Sequence, residues 1–225
     1  MNAPVLDRAA DAGGAFADWI ARGRTAVLAI DMQVDFAEAD VALGRAGLDM
    51  SVVQPALATA ERLVEAARAA GVPVVVVCLM TRPEQDSPAW RTRMLRRGGD
   101  PDDESALCRF GERGADFVGP TPRSGELVIG KPLYSGVFGT ALDARLKAMG
   151  VETVVVCGLT TECCVDCRVR DTFHLDYHVF IATGACAAYE PDLHAGALKR
   201  LELNCALLAA TDELAAAWGE CAAHG

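Results

Sequence analysis

The sequence predicts an α/β protein, a three-layer α/β/α sandwich around a parallel sheet of about six strands. Three observations carry this. Short apolar runs alternate with stretches of helical periodicity along most of the chain. The runs at 25–32, 73–80 and 153–156 are apolar nearly throughout rather than alternating, which suits strands covered by helices on both faces. No internal repeat and no Ser/Gly/Pro-rich linker divides the 225 residues, so residues 1–225 read as one domain.

In order, residues 1–23 are polar and alanine-rich, with Phe16, Trp19 and Ile20 at helical spacing, and read as an appended helix. Residues 25–32 (TAVLAIDM) are the first strand. It closes on Asp31, an acid at the edge where open α/β sheets bind ligands, or equally an acid capping the next turn. Residues 53–70 form a helix stopped by Gly71, and residues 73–80 (PVVVVCLM) the second strand of a right-handed parallel unit. From 81 to 125 the periodicity is lost in a Pro-, Gly- and charge-rich excursion, too long for a plain connection and expected to be a lid or interface arm. Within it Trp90, Arg91, Arg93, Arg96 and Arg97 read first as a solvated or subunit-contacting helix face, and second as a clamp for an anion.

Residues 126–130 are a short strand running into Lys131 and a Gly/Ser loop, 134–140. Alone, Lys131 is surface punctuation; at the same sheet edge as Asp31 it is a cation aimed at whatever reacts there. A helix at 140–149 is stopped by Gly150. The stretch 152–171 (ETVVVCGLTTECCVDCRVRD) then breaks a buried strand at Gly158 and starts a helix near Cys163 and Cys164. Free N–H groups at a helix start favour a thiolate, drawing a thiol pKa from about 8.5 toward 7 or below. A strand at 178–182, a helix at 192–203, a strand at 205–209 and a last helix from Asp212 complete the alternation.

Composition excludes several classes. Hydrophobic residues make up 52%, enough for a large core, and the formal net charge of −10 argues against nucleic acid as a partner. No apolar run approaches the roughly 18 residues of a membrane span and no signal-peptide pattern opens the chain, so no membrane association and a cytoplasmic location are expected. Nine cysteines, an odd number partly inside apolar strands, read as reduced and mostly structural. The expected partner is a small-molecule substrate.

Three anchors in one order, Asp31 in AIDMQVDF, Lys131 in IGKPLYSGVFGT and Cys164 in GLTTECCVDCRVRD, resemble the isochorismatase-like cysteine hydrolases over about residues 25–215. The family's Gly-x-x-Thr-x-x-Cys-Val pattern falls on Gly158, Thr161, Cys164 and Val165, which selects Cys164 over Cys163. The resemblance implies a catalytic triad of Asp31, Lys131 and Cys164 and a cis peptide between Leu159 and Thr160. It further implies an oxyanion hole from the backbone N–H groups of Thr160 and Cys164, and a homodimer or homotetramer. Residues 131–138 look most like the ureidoacrylate amidohydrolases, so the expected reaction is carbon–nitrogen hydrolysis of a small ureido, carbamoyl or carboxamide substrate. Gln33, Phe36, Tyr134 and Phe138 are the candidate substrate contacts. Relatives that hold a metal carry a histidine soon after the second strand; here TRPEQDSP stands there, so neither metal nor cofactor is expected.

Two rival readings remain. Cleavage of a vinyl ether is the reaction of family members that generally lack the cysteine. Cys164-Val-Asp-Cys167 is a Cys-x-x-Cys at a strand-to-helix junction, but a redox role leaves Asp31 and Lys131 without employment.

Overall fold

The computed structural model describes residues 15–104 and 106–220. Six strands form one sheet: β1 (Thr25–Ile30), β2 (Val74–Leu79), β3 (Leu127–Lys131), β4 (Thr153–Leu159), β5 (His178–Ala187) and β6 (Leu207–Ala210). Their order is β3-β2-β1-β4-β5-β6 and every neighbouring pair is parallel. Every residue of β1, β2 and β4 is buried, as continuous apolar runs in a doubly covered sheet require. Edge strand β3 instead alternates, with Ile129 and Lys131 buried and Val128 and Gly130 exposed.

Among the described residues the α-helices are α1 (Ala15–Trp19), α2 (Ala42–Arg45), α3 (Gln54–Ala69), α4 (Pro88–Arg96), α5 (Pro101–Glu104), α6 (Leu142–Ala148), α7 (Asp166–His174), α8 (Pro191–Asn204) and α9 (Thr211–Glu220). Helices lie on both sides of the sheet: α3 packs against β5 and α9, while α7 packs against β5 and α8, and α8 against β6. Helix α3 buries Leu57, Ala60, Leu63, Val64 and Ala67 at helical spacing, each larger side chain contributing about 1.5–3 kcal/mol, and ends at Gly71 in the left-handed region, φ +73°.

Of the N-terminal appendage expected at 1–23, residues 1–14 lie outside the described ones. The rest docks as α1: Phe16 meets Phe180 edge-on at 5.9 Å, and Trp218 Nε1 donates to the carbonyl of fully buried Ile20 at 3.0 Å. Strand β5 runs five residues past its expected end, to Ala187, after a register shift opposite Val156 and Gly158. Its second half, Thr183–Ala187 (TGACA), is small and polar and carries little strand signal. The excursion is partly helical: Ser87 Oγ accepts from Trp90 N at 3.3 Å and Pro88 opens α4. Among the described residues no helix is long and apolar enough to cross a membrane.

Candidate active site

The sheet order reverses direction between β1 and β4, and both strands end there. In a parallel sheet that crevice, at the carboxyl ends of the strands, is where ligands bind. Ile30 is paired with Gly158, so the next residue of β1, Asp31, stands beside the end of β4. Asp31 adopts φ +49°, a left-handed turn that aspartate tolerates better than most residues. Gly158 has φ +135°, and a Cβ there would run into the Ile30 backbone, 2.7 Å from its N and 2.8 Å from its carbonyl carbon. Only glycine lets the two strands approach this closely.

Lys131 ends β3, two strands from β1, so its Cα starts about 10 Å from Asp31 and its long side chain crosses the end of β2. Its Nζ donates to Asp31 Oδ2 at 2.7 Å, to the Leu133 carbonyl at 2.9 Å and to Cys164 Sγ at 3.4 Å. All three ammonium hydrogens are thereby used, and Lys131 and Asp31 are both fully buried. After β4 comes a cis peptide between Leu159 and Thr160 and then a π-helical turn, Thr161–Val165, that leads into α7. The cysteine thus sits in a wider turn than the α-helical start that the sequence suggested.

Burial opposes charge on Lys131, but the Asp31 carboxylate and the Cys164 sulfur outweigh it and hold the ammonium above the ordinary lysine value. Cys164 goes the other way from the thiolate expected of a helix start: its hydrogen bond with Cys163, full burial and the Asp31 carboxylate push its thiol up, against Lys131. The reason is charge balance. Asp31 and Lys131 cancel as a pair, which leaves desolvation and the neighbouring thiol to decide. With the thiol form favoured in this way, attack on a carbonyl calls for a base to take its proton. Asp31 Oδ1 is buried and has no hydrogen-bond partner among the described residues. The carboxylate therefore has one oxygen on Lys131 and one open.

Above the sulfur lies a cavity of about 200 Å³. The strand ends and the π turn give its floor, with Leu79, Thr160, Glu162, Cys163 and Cys164. Phe36, Leu43, Tyr134 and Tyr189 wall it, and Thr81, Asp86, Ser87, Trp90 and Leu107 of the excursion roof it. Larger clefts elsewhere touch none of Asp31, Lys131 and Cys164. Of the candidate substrate contacts, Phe36 and Tyr134 line the cavity, and Tyr134 Oη accepts from Trp90 Nε1 at 2.9 Å. Gln33 and Phe138 do not. Gln33 is fully buried and clamps backbone: Nε2 donates to the carbonyls of Leu79 (2.9 Å) and Ala115 (3.0 Å), and Oε1 accepts from Leu79 N (2.8 Å). Phe138 is 86% exposed. Of the arginines in the excursion, Arg91 pairs with Asp102 at 2.6 Å and with Asp86 at 3.7 Å, while Arg93, Arg96 and Arg97 are exposed. The helix-face reading describes them better than the anion clamp. Glu162, Tyr189 and Leu43 were missed; a signal existed for Glu162, two residues before Cys164 in the motif, and for Tyr189, just past the end of β5. Among the described residues no group of three or more His, Cys, Asp and Glu side chains is placed to hold a metal, and Cys164 and Cys167 are both free thiols.

A family model described as the isochorismatase domain matches residues 25–213. The chain is 35% identical over 190 residues to a ureidoacrylate amidohydrolase RutB of Methylobacterium radiotolerans, covering 79% of this chain and 73% of that protein. Among solved structures it resembles a cysteine hydrolase from Pseudomonas syringae pv. phaseolicola, with a TM-score of 0.76, 25% identity and coverage of 88% and 94%. It also resembles an N-carbamoylsarcosine amidase from Thermoplasma acidophilum, with a TM-score of 0.67, 27% identity and coverage of 84% and 97%.

Proposed function

Since the chain belongs to the isochorismatase family, we propose that it is a cysteine-dependent amidohydrolase cleaving a carbon–nitrogen bond of a small ureido, carbamoyl or carboxamide substrate. The observation that carries this reading is the Lys131 ammonium bonded at once to Asp31 and Cys164, beneath a cavity and beside an open carboxylate oxygen. The names of the relatives, an amidohydrolase and an amidase, support the same bond class.

In this mechanism Asp31 Oδ1 takes the proton of Cys164 as the sulfur attacks the carbonyl carbon, so the thiolate forms only as it is consumed. The oxyanion is held by the backbone N–H groups of Thr160 and Cys164, each donor contributing about 3 kcal/mol to the transition state. Asp31 then passes its proton to the leaving nitrogen, which departs as an amine or ammonia and leaves an acyl or carbamoyl thioester on Cys164. Water enters, Asp31 takes one of its protons, the hydroxide adds to the thioester, and the sulfur leaves to recover the hydrogen. Lys131 keeps its charge throughout and holds Asp31 and Cys164 in register. Vinyl-ether cleavage gives the sulfur no such part. We further propose that the enzyme works in the cytoplasm as a homodimer or homotetramer, which the unbridged cysteines and the exposed Phe138 and Leu95 support.

The test is ammonia release from a panel of ureas, ureido acids and primary amides. Cys164→Ala is expected to abolish it while leaving the far-UV circular dichroism unchanged. Full activity in that variant ends the reading.

A further inference from the structure

The cavity constrains the charge of the substrate. Among the described residues its lining includes no lysine, arginine or histidine. Lys131 beneath it has all three hydrogens engaged with Asp31, Leu133 and Cys164 and offers none to a ligand. Two acids do line it. Asp86 is neutralised, taking both terminal nitrogens of Arg109 at 2.7 Å. Glu162 is not: Oε1 accepts from Thr160 Oγ1 at 2.9 Å, while Oε2 is buried and has no hydrogen-bond partner among the described residues. A carboxylate oxygen without a partner among the described residues therefore belongs to a side chain that lines the cavity, two residues from the nucleophile, and leaves an acceptor site unused. The walls supply the complement, for Phe36, Trp90, Tyr134 and Tyr189 surround the same small space. Aromatic faces attract a cation, and with a carboxylate they form the usual cage for one.

We propose that the substrate is a small ureido or carboxamide compound that bears a positively charged nitrogen rather than a carboxylate, and that Glu162 is the residue selecting it. This rests on the amidohydrolase reading and narrows it. A ureido acid would have to place its carboxylate among aromatic rings beside Glu162 with no cation to meet it. The expected order is cationic first, neutral second and anionic last.

Three ureas of matched size test this: 2-aminoethylurea, propylurea and 3-ureidopropionate. Turnover is followed by ammonia release in the wild-type protein, and binding by calorimetry in Cys164→Ala, which reports preference whether or not the compounds react. The cationic urea is expected to bind and turn over at least about tenfold better than the anionic one. Glu162→Gln keeps an oxygen for Thr160 and removes the charge, so the ratio of cationic to neutral kcat/KM should fall toward one. Arg93→Ala, which alters an exposed arginine outside the lining, should leave the order unchanged. An acid that binds tightest, equal binding of all three, or a cationic preference that survives Glu162→Gln overturns the proposal. No turnover of any urea or amide, with the binding order intact, would instead overturn the hydrolase reading and leave the charge selection standing.

Discussion

Four residues after Cys164, Arg168 is fully buried, and its Nε, Nη1 and Nη2 have no hydrogen-bond partner among the described residues. Burial pulls its guanidinium below the ordinary arginine value, with Asp171 the chief opposing charge. An unpaired buried cation is a large liability, and an apolar side chain of similar length in its place removes that desolvation cost. Arg168→Met is thus expected to match or exceed the wild type in urea midpoint; a loss of more than about 2 kcal/mol would show that the guanidinium is stabilising where it lies. Gly136 packs flush against it, since a Cβ there would run into Arg168 Nη2 and come within 2.8 Å of Val77 Cγ1. Gly136→Ala should therefore destabilise by about 1–3 kcal/mol, and by less in the Arg168→Met background, a coupling that a double-mutant cycle measures. None of this is visible in the sequence, where Arg168 looks like one more charge on a helix. Asp31, Lys131 and Cys164 were legible because each ends a strand or opens the following turn within a recognisable motif. Gln33 was misjudged because the carbonyls it satisfies, on Leu79 and Ala115, are far along the chain.

At the scale of elements, the excursion between β2 and β3 makes the roof of the cavity, and its path is set by tertiary contacts. Asp35 Oδ2 accepts from Cys108 N at 2.7 Å, Thr81 Oγ1 donates to the Leu107 carbonyl at 2.7 Å, and Val118 N donates to the Met32 carbonyl at 2.9 Å. Local periodicity carries no trace of such links, so the sequence showed where regular structure stops but not what the segment covers. Its far end is tied to α3 by Arg68, which donates from Nε and Nη2 to the two oxygens of Glu126, each at 2.8 Å. The pair stands just before β3 and so steadies the strand that delivers Lys131. Burial alone would raise the Glu126 pKa, but the hydrogen bonds from Arg68 outweigh it and hold the carboxyl below its usual value. A depressed carboxyl stabilises the fold above its unfolded value, about 4.3, and the contribution disappears as pH falls through the lower folded value. Glu126→Gln should cost about 1–3 kcal/mol at neutral pH, with the gap to wild type closing below about pH 4. A gap that stays constant with pH would mean that packing, not charge, is what the substitution removed.

For the whole molecule, the number of strands and the covered, parallel character of the sheet could be read from apolar runs separated by helical stretches. The order β3-β2-β1-β4-β5-β6 could not, because nothing in a strand's own residues names its neighbours. Yet that order makes the site, by setting β1 beside β4 at the reversal and leaving β3 near enough for a lysine to cross β2. Net charge acts at the same scale. With 31 acidic against 21 basic residues the protein carries a formal charge of −10, and a net negative charge raises the encounter rate of cations with the protein from beyond contact range. Raising salt from about 0.01 M to about 1 M shortens the screening length from about 30 Å to about 3 Å and removes that attraction. If the substrate is cationic, kcat/KM for 2-aminoethylurea should fall steadily over this range while that for propylurea stays level. Glu162→Gln should keep most of the salt slope even as it loses the preference itself, because the slope belongs to the summed surface charge and the preference to one carboxylate. A flat salt profile for the cationic urea would show that selection is made only at contact, by Glu162 and the aromatic walls.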